Sequence, residues 1–250
     1  MLEQTREGRV AIVTMNRPDR RNAMDGGLVA RAVETFRALD ADPAVGAIVL
    51  QGSAPGFCAG SDLKFIGRLS LAEMCRFEAD TGAMARMLAL LDQPVVAAVE
   101  GFAMGGGFIL AVSCDLVVTA WNARWHLPEV PIGWLTPWGL QALTARVGPV
   151  RARALCFGIA PFDGEEALRL RVADHAAPGG EALAAAIVQA ECLAALPAQA
   201  AAATKRFFAG PIADRAETLD ALANRMFADN CRHPVAMATL NRYGLSVTGG

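Results

Sequence analysis

The feature that most constrains the fold is the segment at residues 95–110 (VVAAVEGFAMGGGFIL), where three consecutive glycines follow an apolar run. This pattern predicts a β-strand that turns almost directly into an α-helix, because glycine adopts the backbone angles that such a junction needs. The N–H groups in the first turn of a helix lack acceptors and favour negative charge. The glycines therefore serve either tight packing of helix against strand or ligand binding by backbone N–H groups.

Predicted strands and helices alternate along the first two thirds of the chain. Short apolar or β-branched runs predict strands at residues 9–15, 47–50, 95–99 and 116–119. Apolar residues at helical spacing predict helices at residues 22–39, 70–91, from the triple glycine to 114, and at 140–147, 151–157, 164–170, 182–196, 198–208, 218–227 and 235–242. The alternation predicts an α/β fold with helices covering the sheets, followed by a helical end.

The composition narrows the class of protein. A content of 54% hydrophobic and 19% charged residues in 250 predicts a densely packed globular protein or an oligomer with large apolar interfaces. A net charge of −2, without a run of basic residues, argues against a nucleic-acid partner. The six cysteines form no CxxC pair and the three histidines share no ligand spacing, so we expect reduced thiols, no metal and a cytoplasmic location.

The sequence offers no segment that predicts export or membrane insertion. The first residues are polar with acidic side chains, which is typical neither of a signal peptide nor of a transit peptide. The most apolar window, residues 94–120, is interrupted by glycines and by Glu100 and Asp115. We therefore interpret this window as a buried core segment and expect no membrane partner.

A second glycine-containing junction changes the interpretation of the first. Residues 57–64 (FCAGSDLK) follow one predicted strand, as residues 104–107 (MGGG) follow the next. If the two strands lie side by side, a backbone N–H from each junction can point at the same carbonyl oxygen. That arrangement is an oxyanion hole, in which each donor contributes about 3 kcal/mol to transition-state stabilisation.

The motifs, in this order, resemble those of the crotonase superfamily, which contains enoyl-CoA hydratases and isomerases. The matching segments are residues 16–24 (NRPDRRNAM), the two glycine junctions at 57–64 and 100–107, and Pro128-Glu129 with Gly133. The resemblance implies a crotonase-like spiral of repeated ββα units with a helical C-terminal region. It also implies a core with the acyl-CoA site at residues 1–195 and a helical region for oligomerisation and active-site cover at residues 196–250.

The resemblance assigns roles to individual residues. It implies that the N–H groups of Ser61 and Gly106 bind the thioester oxygen of an acyl-CoA, and that Glu129 is the acid/base. Ser61 stands where the family usually has alanine or a similarly small residue, a change that leaves the backbone donor in place. The implied substrate-binding residues are Ala23, Ala59, Asp62 and Leu63 along the coenzyme A arm and Phe102 near the acyl entrance. Arg21 and Lys64 either contact phosphates of coenzyme A or are simply solvated.

The acid/base positions bear on the reaction. Hydratases of this family use two glutamates, but the first position is Ile109 here and only the second, Glu129, is kept. Adding water requires two carboxylates that orient the water and exchange protons with the substrate. One carboxylate suffices to move a proton between the α and γ carbons of an enolate. The resemblance therefore favours enoyl-CoA isomerisation, with hydration next. A thioester hydrolase and a non-catalytic acyl-CoA-binding homologue are the alternatives.

Several further expectations follow from the resemblance. We expect a role in fatty acid metabolism, self-association as a trimer or a dimer of trimers, and a substrate carried as a coenzyme A thioester without a tightly bound cofactor. Glu129 is alternatively a loop salt bridge, and Trp134 and Trp138 either line the acyl pocket or pack the core. A nucleophilic triad of Ser61 with His126 and Asp62 has no support in the spacing.

Overall fold

The computed structural model describes residues 1–243, and the strands and helices named below lie in that part of the chain. The strands are β1 (Leu2–Glu7), β2 (Val10–Met15), β3 (Ala47–Gly52), β4 (Val95–Val99), β5 (Phe102–Met104), β6 (Leu116–Ala120), β7 (Arg124–His126) and β8 (His175–Ala177). The helices are α1 (Gly26–Asp40), α2 (Leu63–Ile66), α3 (Leu71–Leu90), α4 (Gly106–Val112), α5 (Leu140–Val147), α6 (Pro149–Cys156), α7 (Gly164–Arg169), α8 (Ala182–Ala194), α9 (Ala198–Asn230) and α10 (Pro234–Arg242).

The strands form one large and one small sheet. The large sheet has the order β1-β2-β3-β4-β6-β8, in which β1 is antiparallel to β2 and the other pairs are parallel. The small sheet pairs β5 with β7, again in parallel. Because β3 and β4 are parallel neighbours, the two glycine junctions that follow them begin at the same edge of the sheet. The predicted α/β class is confirmed.

The central strands are buried on both faces of the large sheet, which explains why they are continuously apolar. In β3, Ile48 and Leu50 belong to the main core, while Ala47 and Val49 face the other way and join a smaller core. Helices α1, α3 and α4 contribute to the main core, and α8 covers the opposite face. Alanines at helical spacing let α8 lie close to the strands; they are Ala186, Ala190 and Ala194.

The structure differs from the sequence prediction at the start and the end of the chain. The polar strand β1 carries no alternating pattern, since it is an edge strand with mostly exposed side chains. Helix α9 continues through residues 209–217, where the sequence predicts a break between two helices. The helix packs along α3 and α5, and such tertiary packing overrides local propensity.

Three short strands were also not predicted. They are β5, β7 and β8, each of three residues. Segments this short show no periodicity, and their pairing depends on partners distant in the chain.

No single helix among those described is both long and apolar enough to cross a membrane. One pair of neighbouring helical segments, Ala182–Ala194 and Ala198–Gly210, reaches the required length and composition only together, and the pair is bent by 108°.

Candidate active site

The two glycine junctions lie against each other. The backbone at Cys58 pairs in parallel with Ala103 of β5, and the N–H of Met104 donates to the carbonyl of Cys58 at 2.9 Å. Gly60 has a φ of +89°, and a Cβ built on it would lie 3.0 Å from the nitrogen of Gly106. Glycine is needed at position 60 both for this backbone angle and for the close approach of the two loops.

The amides of Ser61 and Gly106 are free to bind a ligand. The residues on either side of Ser61 bond to Met24, with Met24 N–H donating to the Gly60 carbonyl at 2.8 Å and Asp62 N–H to the Met24 carbonyl at 2.7 Å. In extended backbone this pairing turns the N–H of Ser61 to the opposite side. Gly106 is the first residue of α4. Within residues 1–243, neither N–H has a hydrogen-bond acceptor.

Both amides border a cavity of about 80 Å³. Five of the eight site residues predicted from the sequence line this cavity: Ala59, Ser61, Leu63, Gly106 and Glu129. The other three, Ala23, Asp62 and Phe102, lie outside its wall. The structure thus brings the two predicted oxyanion donors and the predicted acid/base residue to one small space.

Glu129 lies in the loop between β7 and α5. The N–H of Trp134 donates to the Glu129 carbonyl at 3.0 Å, which closes a turn around the glutamate. The N–H of Gly105 donates to the carbonyl of His126 at 2.9 Å and ties the triple glycine to this loop. A Cβ built on Gly105, whose φ is +53°, would lie 2.9 Å from Oε1 of Glu129. The absence of a side chain at position 105 therefore lets the carboxyl group rest over the glycines.

Glu129 is buried and takes part in no ion pair within the described residues. The residue is 6% exposed, and its Oε2 is buried without a hydrogen-bond partner among the described residues. Burial, reinforced by the nearby carboxylate of Glu78, raises the pKa of Glu129 to about 7. In the described chain no arginine, lysine or histidine forms a salt bridge with it, so the salt-bridge alternative is wrong.

A second glutamate in the same cavity was missed in the sequence. Glu78 of α3 is 3% exposed and lines the cavity. Its Oε1 accepts from the Ser61 hydroxyl at 2.7 Å, and its Oε2 accepts from Nε1 of Trp138 at 2.8 Å. Burial raises the pKa of Glu78, and these two hydrogen bonds oppose that rise. The signal available in the sequence was a glutamate within the apolar stripe of α3, next to Phe77 and four residues after Met74.

Trp134 and Trp138 fulfil both of the roles that the sequence left open. Both line the cavity, and both are at most 5% exposed. Trp134 packs edge-to-face on Phe227 of α9, with ring centroids 5.7 Å apart. The same loop contributes Thr136, whose buried hydroxyl has no partner among the residues described. This loop therefore supplies an aromatic wall and one unpaired polar group.

Ile109, which stands where the resemblance places the first glutamate of the hydratases, has an apolar side chain that does not reach the cavity. The residue is fully buried and does not line the cavity. Its Cγ2 would lie 2.2 Å from a Cβ built on Gly139, so the isoleucine fills space against the start of α5.

The predicted residues outside the cavity have identifiable contacts. Asp62 caps α2 by accepting from the N–H of Lys64 at 3.0 Å, and its other oxygen pairs with Arg17 at 3.1 Å. The carbonyl of buried Ala23 also accepts from Arg17. The ring of Phe102 carries the guanidinium of Arg21 4.6 Å above its centre. Asp62 and the Ala23 carbonyl are thus held by Arg17, and Phe102 is in contact with Arg21.

Other chemistry has little support in the described part of the chain. The Ser61 hydroxyl bonds to Glu78, while His126 is 2.9 Å from the carbonyl oxygen of Gly158, so no nucleophilic triad forms. Within residues 1–243 no group of three or more His, Cys, Asp or Glu side chains is arranged to hold a metal ion.

Comparisons with known proteins agree with the motifs. A family model described as enoyl-CoA hydratase/isomerase matches residues 5–243. A probable enoyl-CoA hydratase of Mycobacterium bovis is 35% identical over 201 residues, which are 80% of this chain and 77% of that protein. A short-chain-enoyl-CoA hydratase of Clostridium acetobutylicum is 37% identical over 168 residues, or 66% of this chain and 64% of the relative.

A solved structure shares the fold over nearly the whole chain. It is an enoyl-CoA hydratase/isomerase from Mycobacterium paratuberculosis, with a TM-score of 0.86 and 26% identity, covering 96% of this chain and 97% of that one.

Proposed function

Because the chain belongs to the enoyl-CoA hydratase/isomerase family, we propose that it binds an enoyl-CoA thioester with its carbonyl oxygen between the N–H groups of Ser61 and Gly106. The single observation that carries this proposal is the buried carboxyl of Glu129, with an unpartnered oxygen, in the cavity bordered by these two amides. Two fixed donors favour the enolate over the thioester, since negative charge develops on that oxygen.

Glu129 moves the proton. As a carboxylate it removes a proton from the α carbon of a 3-enoyl-CoA, and the electron pair of that C–H bond moves toward the thioester oxygen to give a dienolate. The same glutamate then returns the proton to the γ carbon, which leaves the double bond between the α and β carbons. A pKa of about 7 makes both forms of Glu129 available near neutral pH. Isomerisation therefore needs no other acid/base side chain.

The site residues divide between the coenzyme A arm and the acyl group of the substrate. Ala59 and Leu63 border the cavity, and we assign both, with Ala23 and Asp62, to the coenzyme A arm. Phe102, which lies outside the cavity wall as Ala23 and Asp62 do, is assigned to the acyl entrance. The chemistry is supplied by backbone N–H groups and carboxyls, and the proposal includes no tightly bound cofactor.

Hydration is the second candidate reaction. Two of the relatives are named enoyl-CoA hydratases, and Glu78 brings a second carboxyl into the same cavity. Addition of water to a 2-enoyl-CoA uses the same oxyanion hole and the same proton transfer at the α carbon. The two reactions therefore share Glu129 and differ in whether a second carboxylate handles a water molecule.

Exchange of the α proton tests the shared step. A saturated acyl-CoA in D₂O should incorporate deuterium at the α carbon with the wild-type protein, and Glu129→Gln should slow this exchange about 10²- to 10⁴-fold. Glu165→Gln is the matched control, because Glu165 is exposed on α7 and far along the chain from the site. If Glu129→Gln exchanges as fast as the wild type, the proposal fails.

The same assay separates the remaining alternatives. Release of free coenzyme A thiol, without exchange or isomerisation, would indicate a thioester hydrolase. Binding of acyl-CoA without any turnover would indicate a non-catalytic homologue.

The proposal extends to assembly and location. We assign the region at residues 196–250, of which residues 244–250 lie outside the described part of the chain, to self-association as a trimer or dimer of trimers and to active-site cover, in a cytoplasmic enzyme of fatty acid metabolism. Phe227 of α9 lines the cavity, and Phe207 and Phe208 of the same helix are 76% and 68% exposed. Exposed aromatic side chains of this size suit a subunit interface. Sedimentation of the full chain tests the assembly.

A further inference from the structure

Glu78 is a buried carboxylate that isomerisation does not use. It lies on the inner face of α3, where Met74, Phe77 and Ala85 are buried hydrophobic neighbours along the helix. Burying an ionised carboxylate is costly unless the charge is compensated. A methionine or leucine would continue the apolar face of α3 without this cost, so the carboxyl group calls for an explanation.

The two carboxyl groups lie next to the segments that carry the two predicted oxyanion donors. Glu78 is bonded to the side chain of Ser61, whose N–H is one donor of the hole. Glu129 rests over Gly105, which precedes the other donor, Gly106. All five residues line the one cavity. A thioester oxygen held between the two amides would therefore bring the adjoining carbons into the same cavity as both carboxyl groups.

The hydrogen bonds of the two glutamates differ and favour different protonation states. Glu78 accepts from the Ser61 hydroxyl and from Trp138 Nε1, and both bonds favour its ionised form. In Glu129 burial outweighs the hydrogen bonds and raises the pKa, and one carboxyl oxygen, Oε2, has no partner within hydrogen-bond geometry among the described residues, which favours the protonated form. Like charges in one cavity also oppose ionisation of both groups at once. The hydrogen bonds therefore favour the charge on Glu78 and the proton on Glu129.

From this geometry we propose that Glu78 is the second acid/base carboxylate of the site, supplied by α3 in place of the carboxylate missing at Ile109, and that the chain hydrates a 2-enoyl-CoA. The inference rests on the proposed function, because it needs the thioester in the same oxyanion hole. Each oxygen of Glu78 keeps a lone pair beyond its existing hydrogen bond, with which it can accept from a water molecule in the cavity.

In the hydration step one glutamate accepts a proton and the other donates one. The water oxygen forms a bond to the β carbon while one water proton passes to Glu78. The electron pair of the double bond moves toward the thioester oxygen, and the α carbon then takes the proton of Glu129. The product is a 3-hydroxyacyl-CoA, with Glu78 protonated and Glu129 ionised. Transfer of one proton from Glu78 to Glu129, through water, restores the starting state.

Glu78→Gln tests this assignment with little change of shape. The amide can accept from Trp138 with its oxygen and donate to the Ser61 hydroxyl with its nitrogen, so both contacts are kept. We expect hydration of a short-chain 2-enoyl-CoA to fall about 10²- to 10³-fold, and α-proton exchange on a saturated acyl-CoA to fall less than about ten-fold. Glu78→Asp should recover part of the hydration, and its pH profile should keep the ionisation that Glu78→Gln loses. Asp80→Asn, an exposed change on the same helix, is the control.

Each other outcome has a distinct meaning. Unchanged hydration in Glu78→Gln would overturn the assignment, and so would parallel loss of hydration and exchange, which indicates that Glu78 only holds the Ser61 loop. A wild-type protein that exchanges the α proton but does not hydrate would overturn it and leave the proposed function standing. A wild-type protein with neither reaction would refute the proposed function itself. Thermal unfolding of each variant identifies any that fails to fold.

Discussion

The two halves of the cavity are made of different parts of the polypeptide. The oxyanion half consists of backbone N–H groups from Ser61 and Gly106, held by hydrogen bonds between neighbouring loops. The acid/base half consists of side chains that reach the cavity from separate elements, Glu78 from α3 and Glu129 from the loop before α5. One half depends on backbone geometry, and the other depends on how distant elements pack.

This difference determines what each half tolerates. The backbone donors survive a change of side chain at position 61, because the N–H is common to all residues except proline. They do not survive a change of backbone angle at their glycine neighbours. The carboxyl groups behave in the opposite way, since a single amide substitution removes the chemistry and leaves the shape. The following predictions probe these two kinds of dependence.

Gly60→Ala should have the largest effect. An added Cβ would lie 3.0 Å from the Gly106 nitrogen and 3.0 Å from the Met104 carbonyl oxygen, at a φ of +89°. Both donors would shift, and loss of one well-placed donor costs about 10²- to 10³-fold in rate. Steady-state kinetics should therefore show a fall of this size in kcat for every reaction of the enzyme.

A matched glycine separates this effect from backbone strain. Gly180 has a φ of +87° and nothing within 4 Å of a Cβ built on it. Gly180→Ala should lose a similar amount of stability from the positive φ, about 1 to 3 kcal/mol, with kcat unchanged. Equal kinetic losses in both variants would show that strain, and not the contact between the loops, accounts for the effect.

The backbone half could be predicted from the sequence, and the side-chain half could be predicted only in part. Strand runs followed by glycines place Ser61 and Gly106 at one sheet edge because parallel neighbours share their carboxyl ends. Glu129 was predicted through its motif. Glu78 was not, because which face of α3 meets the Ser61 loop depends on the packing of α3 against α9 and the tryptophan loop. The continuous helix α9 was missed for the same reason, since its tertiary contacts outweigh local signals.

The buried carboxyl group of Glu129 should reduce the free energy of unfolding as the pH rises. Burial raises the pKa of Glu129 from 4.5 to about 7, so the folded protein binds a proton that the unfolded chain has released between these values. The stability associated with the protonated form is complete below pH 4.5 and is lost as the pH rises toward 7. The loss amounts to about 3 kcal/mol, from the 1.36 kcal/mol of each pKa unit.

Urea unfolding of the wild type and Glu129→Gln at several pH values measures this pH-dependent loss of stability. The wild type should lose about 3 kcal/mol more than the variant between pH 4.5 and pH 8, while Glu165→Gln should follow the wild type. The amide variant would then be the more stable protein at pH 8 and the less active one, which is the usual cost of a buried acid/base group. Parallel curves for the wild type and Glu129→Gln would contradict the raised pKa.

Ser61→Ala should have the smallest effect, although the residue belongs to both halves. The backbone N–H remains, so the oxyanion hole keeps its donor. The carboxylate of Glu78 loses the hydroxyl that donates to it at 2.7 Å, and its pKa should rise further because that bond favours the ionised form. We expect hydration to fall less than about ten-fold, with the acidic limb of its pH profile displaced to higher pH. A loss as large as that of Gly60→Ala would mean that the hydroxyl itself takes part in proton transfer. Ser61 would then contribute its N–H to the backbone half and its hydroxyl to the side-chain half.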